Sequence, residues 1–175
     1  MTRSALSDGD RFILDTVEVP QKSDLFKVFK IPKLIAKGAK TPVEVVLGLD
    51  LLEREGAHYL SAAQALRLVR KVPQTEPAEY MLGYLGEAYL AAKSDQTRDA
   101  IIVRAVLNAP HVVHVAELLG LPLPLRVPTP RELRDVVLLG GELASVGGLT
   151  GDTLRRSANA LVAWMKTVDR LARRR

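Results

Sequence analysis

The 175-residue sequence predicts a mainly helical chain built from two helix-turn-helix-like units in tandem, and three observations carry that expectation. Thr41-Pro42-Val43-Glu44 and Thr129-Pro130-Arg131-Glu132 share one helix-start pattern: a capping hydroxyl, proline in the first turn and a glutamate able to reach back to the cap. Apolar residues recur every three or four positions over 95–107 and again over 154–172, the period of a helix with one buried face. Between the halves, RKVPQTEPAEYML (70–82) sets a polar, proline-punctuated centre between apolar ends, which suits a short hairpin.

Taken in order, residues 1–23 form an N-terminal arm or strand, because Phe12, Leu14, Thr16 and Glu18 alternate with Ile13, Asp15, Val17 and Val19 before Pro20 stops the run. Residues 25–31 are expected to be extended or loosely ordered, since Pro32 disfavours helix in the residue before it, and a short helix follows from Pro32 to about Ala39. Thr41 opens a helix ending near Gly48. Asp50-Leu51-Leu52-Glu53 repeats the start signal and opens a longer helix to about Val69 that buries Tyr59, Leu60, Ala63, Leu66 and Leu68. A hairpin follows, with Val72 and Tyr80 to Leu82 as its arms, then a connector helix over LGEAYLAAK (85–93). Three helices and a hairpin make a winged helix, so residues 24–92 form a first unit.

Residues 93–175 repeat the grammar as a second, winged-helix-like unit. Helices are expected over Asp95–Leu107, over HVVHVAELLG (111–120) and from Thr129 to about Leu139, with LPLPLRVP (121–128) as a rigid extended connection. Gly140-Gly141 and Gly147-Gly148 bracket a short segment, and Thr150 caps a final helix to about Ala172. In that helix Leu154, Ala158, Leu161, Met165, Val168 and Ala172 make an apolar seam widened by Trp164 and Leu171, while Arg155, Asn159, Lys166, Arg170 and Arg173 lie on another face. The fold class is therefore mainly α: tandem winged helix-turn-helix units with short β-hairpin wings.

Composition narrows the functional classes. The absence of cysteine removes disulfides, thiolate zinc sites and thiol catalysis. No apolar run approaches the roughly 18 to 20 residues that cross a bilayer, and Asp8, Asp10, Arg11, Asp15 and Glu18 stand where a signal peptide is apolar, so a cytoplasmic protein without a membrane partner is expected. The net charge of +5 is concentrated: residues 1–90 hold 12 basic and 12 acidic side chains, whereas residues 151–175 hold seven basic against two acidic. A basic helix at one end is the electrostatic footprint of a polyanion partner.

Two stretches resemble a known family. GLDLLEREGAHYLSAAQALRLVRK, with Arg54, Tyr59, Ala62-Ala63 and Leu68-Val69, resembles the third-helix region of winged-helix modules attached to bacterial type II restriction endonucleases and AAA-type ATPase proteins. GLTGDTLRRSANALVAWMKTVDRL, with Thr153, Arg155, Arg156 and Trp164, resembles the closing helix of the second such module. The order of features matches over roughly residues 30–175. The resemblance implies the tandem fold and binding to double-stranded DNA.

Candidate DNA contacts follow from residue type and place, since basic side chains at helix starts meet phosphates and Arg or Asn can reach base edges. They are Arg54 and His58 in the first unit, Arg70 and Lys71 at the base of its wing, and Arg155, Arg156, Asn159, Lys166 and Arg170 on the final helix. Lys27, Lys30, Lys33 and Lys37 supply a further lysine patch. Glu53 and Glu55 flank Arg54 and weaken the first unit as a reader of DNA. His111, His114 and Glu117 sit at i, i+3 and i+6 but lack the i, i+4 pair of a zinc helix, so no metal is expected. Neither a nucleophile elbow nor a complete phosphate-binding loop occurs, and no cofactor or enzymatic activity is expected. The expectation is a non-enzymatic DNA-binding protein, a regulator of transcription or the targeting part of a larger assembly, gripping duplex DNA mainly through the final helix. The alternative is a protein-interaction module whose apolar final-helix seam completes a homodimer.

Overall fold

A computed structural model of the chain describes residues 7–17, 20–118, 120–124 and 151–174. The expected helix over 129–139, both glycine pairs, the Thr150 cap, residues 125–128 of the extended connection and the Leu154 side chain lie outside the described residues. The described residues are mainly helical, with one two-stranded antiparallel sheet among them.

Ser7 starts the first helix, α1 (Asp8–Thr16): its hydroxyl accepts from the Asp10 N–H, and the Asp10 carboxylate accepts from the Ser7 N–H. The expected arm or strand over 12–19 is thus corrected to helix through Thr16. β-branched and aromatic residues favoured a strand, but a reciprocal cap and packing against a later helix outweigh propensity. Asp24 likewise caps α2 (Leu25–Val28), where extended chain was expected; Leu25 and Val28 are buried by that turn. Pro32 then sits in the first turn of α3 (Ile31–Ala36), which stops three residues short of the expected Ala39.

The Thr41–Glu44 box forms as expected at the start of α4 (Pro42–Leu49), and two backbone N–H groups, of Lys40 and Thr41, hold the Glu44 carboxyl below its usual range. The next helix departs from expectation. Asp50 ends α4 in the left-handed region (φ 53°) instead of starting a helix, a one-turn 3-10 helix spans Glu53–Glu55, and α5 runs only over Gly56–Ala65. Short polar side chains such as Asp serve both as helix starts and as left-handed stops, so the spacing alone misled.

Arg67 follows in the left-handed region (φ 57°) and turns the chain into β1 (Val69–Lys71), which pairs with β2 (Tyr80–Leu82) in the register Val69 with Leu82, Arg70 with Met81 and Lys71 with Tyr80. The hairpin is where it was expected, with the first arm shifted from Val72 to Val69–Lys71. Arg67 also ties three elements together: it pairs with Asp10 of α1 and donates to the Asn108 carbonyl at 2.6 Å. α6 (Tyr84–Ala91) lies so close to the incoming strand that a Cβ at Gly86 would collide with the Leu68 carbonyl.

α7 (Asp95–Leu107) matches its expected limits, capped by the Ser94 hydroxyl, with Ile102, Val103, Val106 and Leu107 buried. α8 (Pro110–Leu118) packs on α1, and α9 (Gly151–Ala172) packs on α7. Buried apolar side chains from Leu25 to Leu171 form one cluster that includes residues of both expected units. Leu161, Met165 and Val168 belong to it, so the seam considered for a homodimer is already used inside the chain.

Candidate nucleic-acid interface

α9 separates its two faces sharply. Trp164, Leu161, Met165, Val168 and Leu171 are buried, and the indole N–H of Trp164 donates to the Lys22 carbonyl at 2.8 Å, pinning the segment after α1. On the opposite side Arg155, Asn159, Lys166, Arg170 and Arg173 are exposed in one stripe along a helix about 33 Å long. Two of these cations have carboxylate neighbours: Arg155 meets Asp152 at 3.0 Å and Arg173 meets Asp169 at 3.0 Å. The Arg170 guanidinium stands 5.6 Å from the ring centre of exposed Phe26, a cation–π contact that braces it against α2.

Arg156 is a neighbour of Arg155 in sequence but not in role. One helical residue turns the side chain by about 100°, and that step carries Arg156 off the stripe into a polar pocket of about 340 Å³ lined by Gln21, Lys22, Arg54, Glu55 and His58. The structure therefore gathers Arg54, His58 and Arg156 from the two expected units into one place. Glu55 does not neutralise Arg54, as its place in the sequence suggested: its carboxylate takes the Lys22 ammonium at 2.6 Å and the Leu52 N–H at 3.3 Å, and the lysine contact first of all holds its pKa down. The Lys22 ammonium also lies 5.2 Å from the centre of the Tyr59 ring, whose hydroxyl pKa burial pushes up.

Arg70 and Lys71 stand apart from both groups. They are exposed on β1, beyond the far end of α5, and border a groove of about 810 Å³ whose other walls include Phe12 and Ile13 of α1, Ser61 and Gln64 of α5 and Tyr80 and Tyr84. Between groove and pocket, α5 offers little surface. Six of its ten residues are buried, His58, Ser61 and Gln64 are half-buried, and Ala57 is its one exposed residue.

The three-residue set on α8 does not gather. His111 turns into the protein, 3% exposed, with Nε2 3.2 Å from the Val17 carbonyl and Nδ1 buried without a partner among the described residues. Burial pushes its pKa down to about 4, against the Val17 hydrogen bond, which raises it, and with help from His114, which lowers it. No group of three or more metal-ligating side chains occurs among the described residues, and none of their helices is long and apolar enough to cross a membrane.

Gln21 and Lys22 were not among the residues singled out from the sequence. They lie in a segment without periodicity, and the indole that fixes them is 142 positions away. Only the short polar run Gln21-Lys22-Ser23-Asp24 after Pro20 hints at a surface segment there. No protein-family model, characterised protein or solved structure matches this chain.

Proposed function

We propose that this is a non-enzymatic DNA-binding protein that holds duplex DNA through the cationic stripe of α9. The single observation carrying this reading is the division of α9 into a buried Trp164 side and an exposed side bearing Arg155, Asn159, Lys166, Arg170 and Arg173. A rigid helix of about 33 Å is close to the rise of one duplex turn, about 34 to 36 Å, so its cations can meet several phosphates without reordering the backbone. In this reading α3, α4 and α5 with the β1–β2 hairpin form a winged helix, supported by the order of elements and by the resemblance of residues 48–71 to such modules. Arg70 and Lys71 on the hairpin add phosphate contacts at its edge.

The burial of α5 gives the proposal a specific shape. α5 exposes Ala57 and leaves only His58, Ser61 and Gln64 half-buried, so it offers little with which to read base edges, and the grip is dominated by phosphates. Binding of random-sequence duplex over a salt series tests this. The expected result is a linear fall of log affinity with log salt, with a slope near −0.9 for each phosphate neutralised. Binding that ignores salt, or its absence at low salt, overturns the proposal.

A further inference from the structure

We propose that the pocket lined by Gln21, Lys22, Arg54, Glu55, His58 and Arg156 is a phosphate-binding site that takes a phosphate dianion or monoester, distinct from the cationic stripe of α9. Three features carry the assignment. The first is charge: Lys22, Arg54 and Arg156 oppose Glu55 alone, leaving an excess of two positive charges around a small recess open to solvent. The second is availability. Glu55 is occupied by Lys22 and the Leu52 N–H, and neither Arg54 nor Arg156 has a carboxylate partner among the described residues. Both guanidinium groups keep their full set of donors for a ligand, and a guanidinium meets phosphate oxygens in pairs.

The third is construction. The pocket wall comes from three separate parts of the chain: the segment after α1, the 3-10 turn with the start of α5, and the first turns of α9. Each part is fixed independently of the arginines, by the Trp164 indole on the Lys22 carbonyl, the Lys22–Glu55 pair and the α9–α7 packing. The site therefore exists before any ligand arrives. Its volume of about 340 Å³ falls at the lower end of small-molecule pockets, about 300 to 1,000 Å³, which leaves room for a phosphate and a small attached group.

Phosphate can reach such a site on a small molecule or as part of a nucleic-acid backbone. Calorimetric titration of the full chain with sodium phosphate, in chloride buffer of matched ionic strength and without DNA, tests the site itself. Saturable one-to-one binding is expected, weakened about tenfold by Arg54→Ala and by Arg156→Ala, the loss for one hydrogen bond to a charged group, and unchanged by Arg155→Ala one position away. Absent binding, or equal binding by the Arg54→Ala and Arg156→Ala proteins, overturns the proposal. Repeating the titration with saturating short duplex identifies the source: phosphate affinity that falls supports a backbone phosphate in the pocket, and affinity that holds supports a small-molecule ligand. The first titration contains no DNA, so its outcome is independent of whether α9 binds duplex.

Discussion

Helix α5 commits six of its ten residues to the core and exposes Ala57, whereas α9 buries one side of twenty-two residues and presents cations along the other. Both carry Arg or His near their starts. The difference lies in what surrounds them. α5 is packed by α2, α4 and β1, and α1 shares a groove with its Ser61–Gln64 end, so a helix of small and apolar residues, GAHYLSAAQA, is enclosed on nearly all sides. Among the described elements α9 packs chiefly on α7, and its residues divide into two faces. A helix is an interface in this fold when its apolar residues fill one stripe and leave a second for charge.

The largest effect is expected from removing what anchors α9. Trp164→Ala empties a fully buried site and breaks the bond to the Lys22 carbonyl, and a loss of about 3 to 5 kcal/mol is expected in chemical denaturation. Leu60→Ala in α5 is expected to cost about 2 to 5 kcal/mol by the same route. Trp164→Ala also lowers duplex affinity measured under conditions where the protein remains folded, because the stripe loses its fixed backing. Leu60→Ala leaves it unchanged. Equal effects of both substitutions on affinity would erase the distinction between the two helices.

Acid should uncover α5 before it unfolds α9. His111 fastens α8 to the end of α1, which shares the groove beside α5, and it is neutral in the fold because burial holds its pKa near 4. An unfolded chain binds that proton near pH 6.5, so stability is complete above about pH 6.5 and declines as pH falls toward 4. The total for this group is on the order of 3 kcal/mol. Hydrogen exchange at pH 5 is expected to rise in α1 and in the Ser61–Gln64 part of α5 ahead of α9. His111→Leu is expected to flatten the decline; an unchanged pH profile would remove His111 from the account.

How far all this was legible depends on how local each signal is. α7 is legible to the residue because the three-and-four spacing and the stop at Asn108-Ala109-Pro110 are contiguous, and β2 at Tyr80–Leu82 is legible from its apolar end. α1 is not legible although Ser7-Asp8-Gly9-Asp10 contains its cap, because the β-branched run beyond has strand propensity and the packing partner, α8, lies about a hundred residues away. Asp50 was misassigned because an aspartate before an apolar run fits a start and a stop equally. The exposed face of α9 could be seen in the sequence; the pocket beside it could not, since it needs Lys22, Arg54 and Arg156 brought together by a tryptophan that looks like ordinary core.

A smaller effect separates cations within α9. Lys166→Ala with Arg170→Ala removes two charges from the centre of the stripe, and the salt slope of duplex binding is expected to fall by about two. Ala57→Gln in α5 is expected to leave both slope and affinity as they were, because that helix makes no groove contact in the proposed mode. A slope that moves with Ala57→Gln would return α5 to the interface.

The smallest expected change is the most discriminating. Arg155 and Asp152 form an exposed pair at 3.0 Å, each side chain 72% exposed, so water screens the attraction. Arg155→Ala should leave folding stability within about 0.5 kcal/mol. Its effect on DNA should also be less than that of Lys166→Ala, because Asp152 already offsets the charge that Arg155 offers a phosphate. Asp152→Asn removes that offset and is expected to tighten duplex binding while leaving phosphate binding in the Arg156 pocket unchanged. If Asp152→Asn instead weakens duplex binding, the N-terminal end of the stripe faces away from the DNA, and contact is confined to Lys166, Arg170 and the residues beyond them.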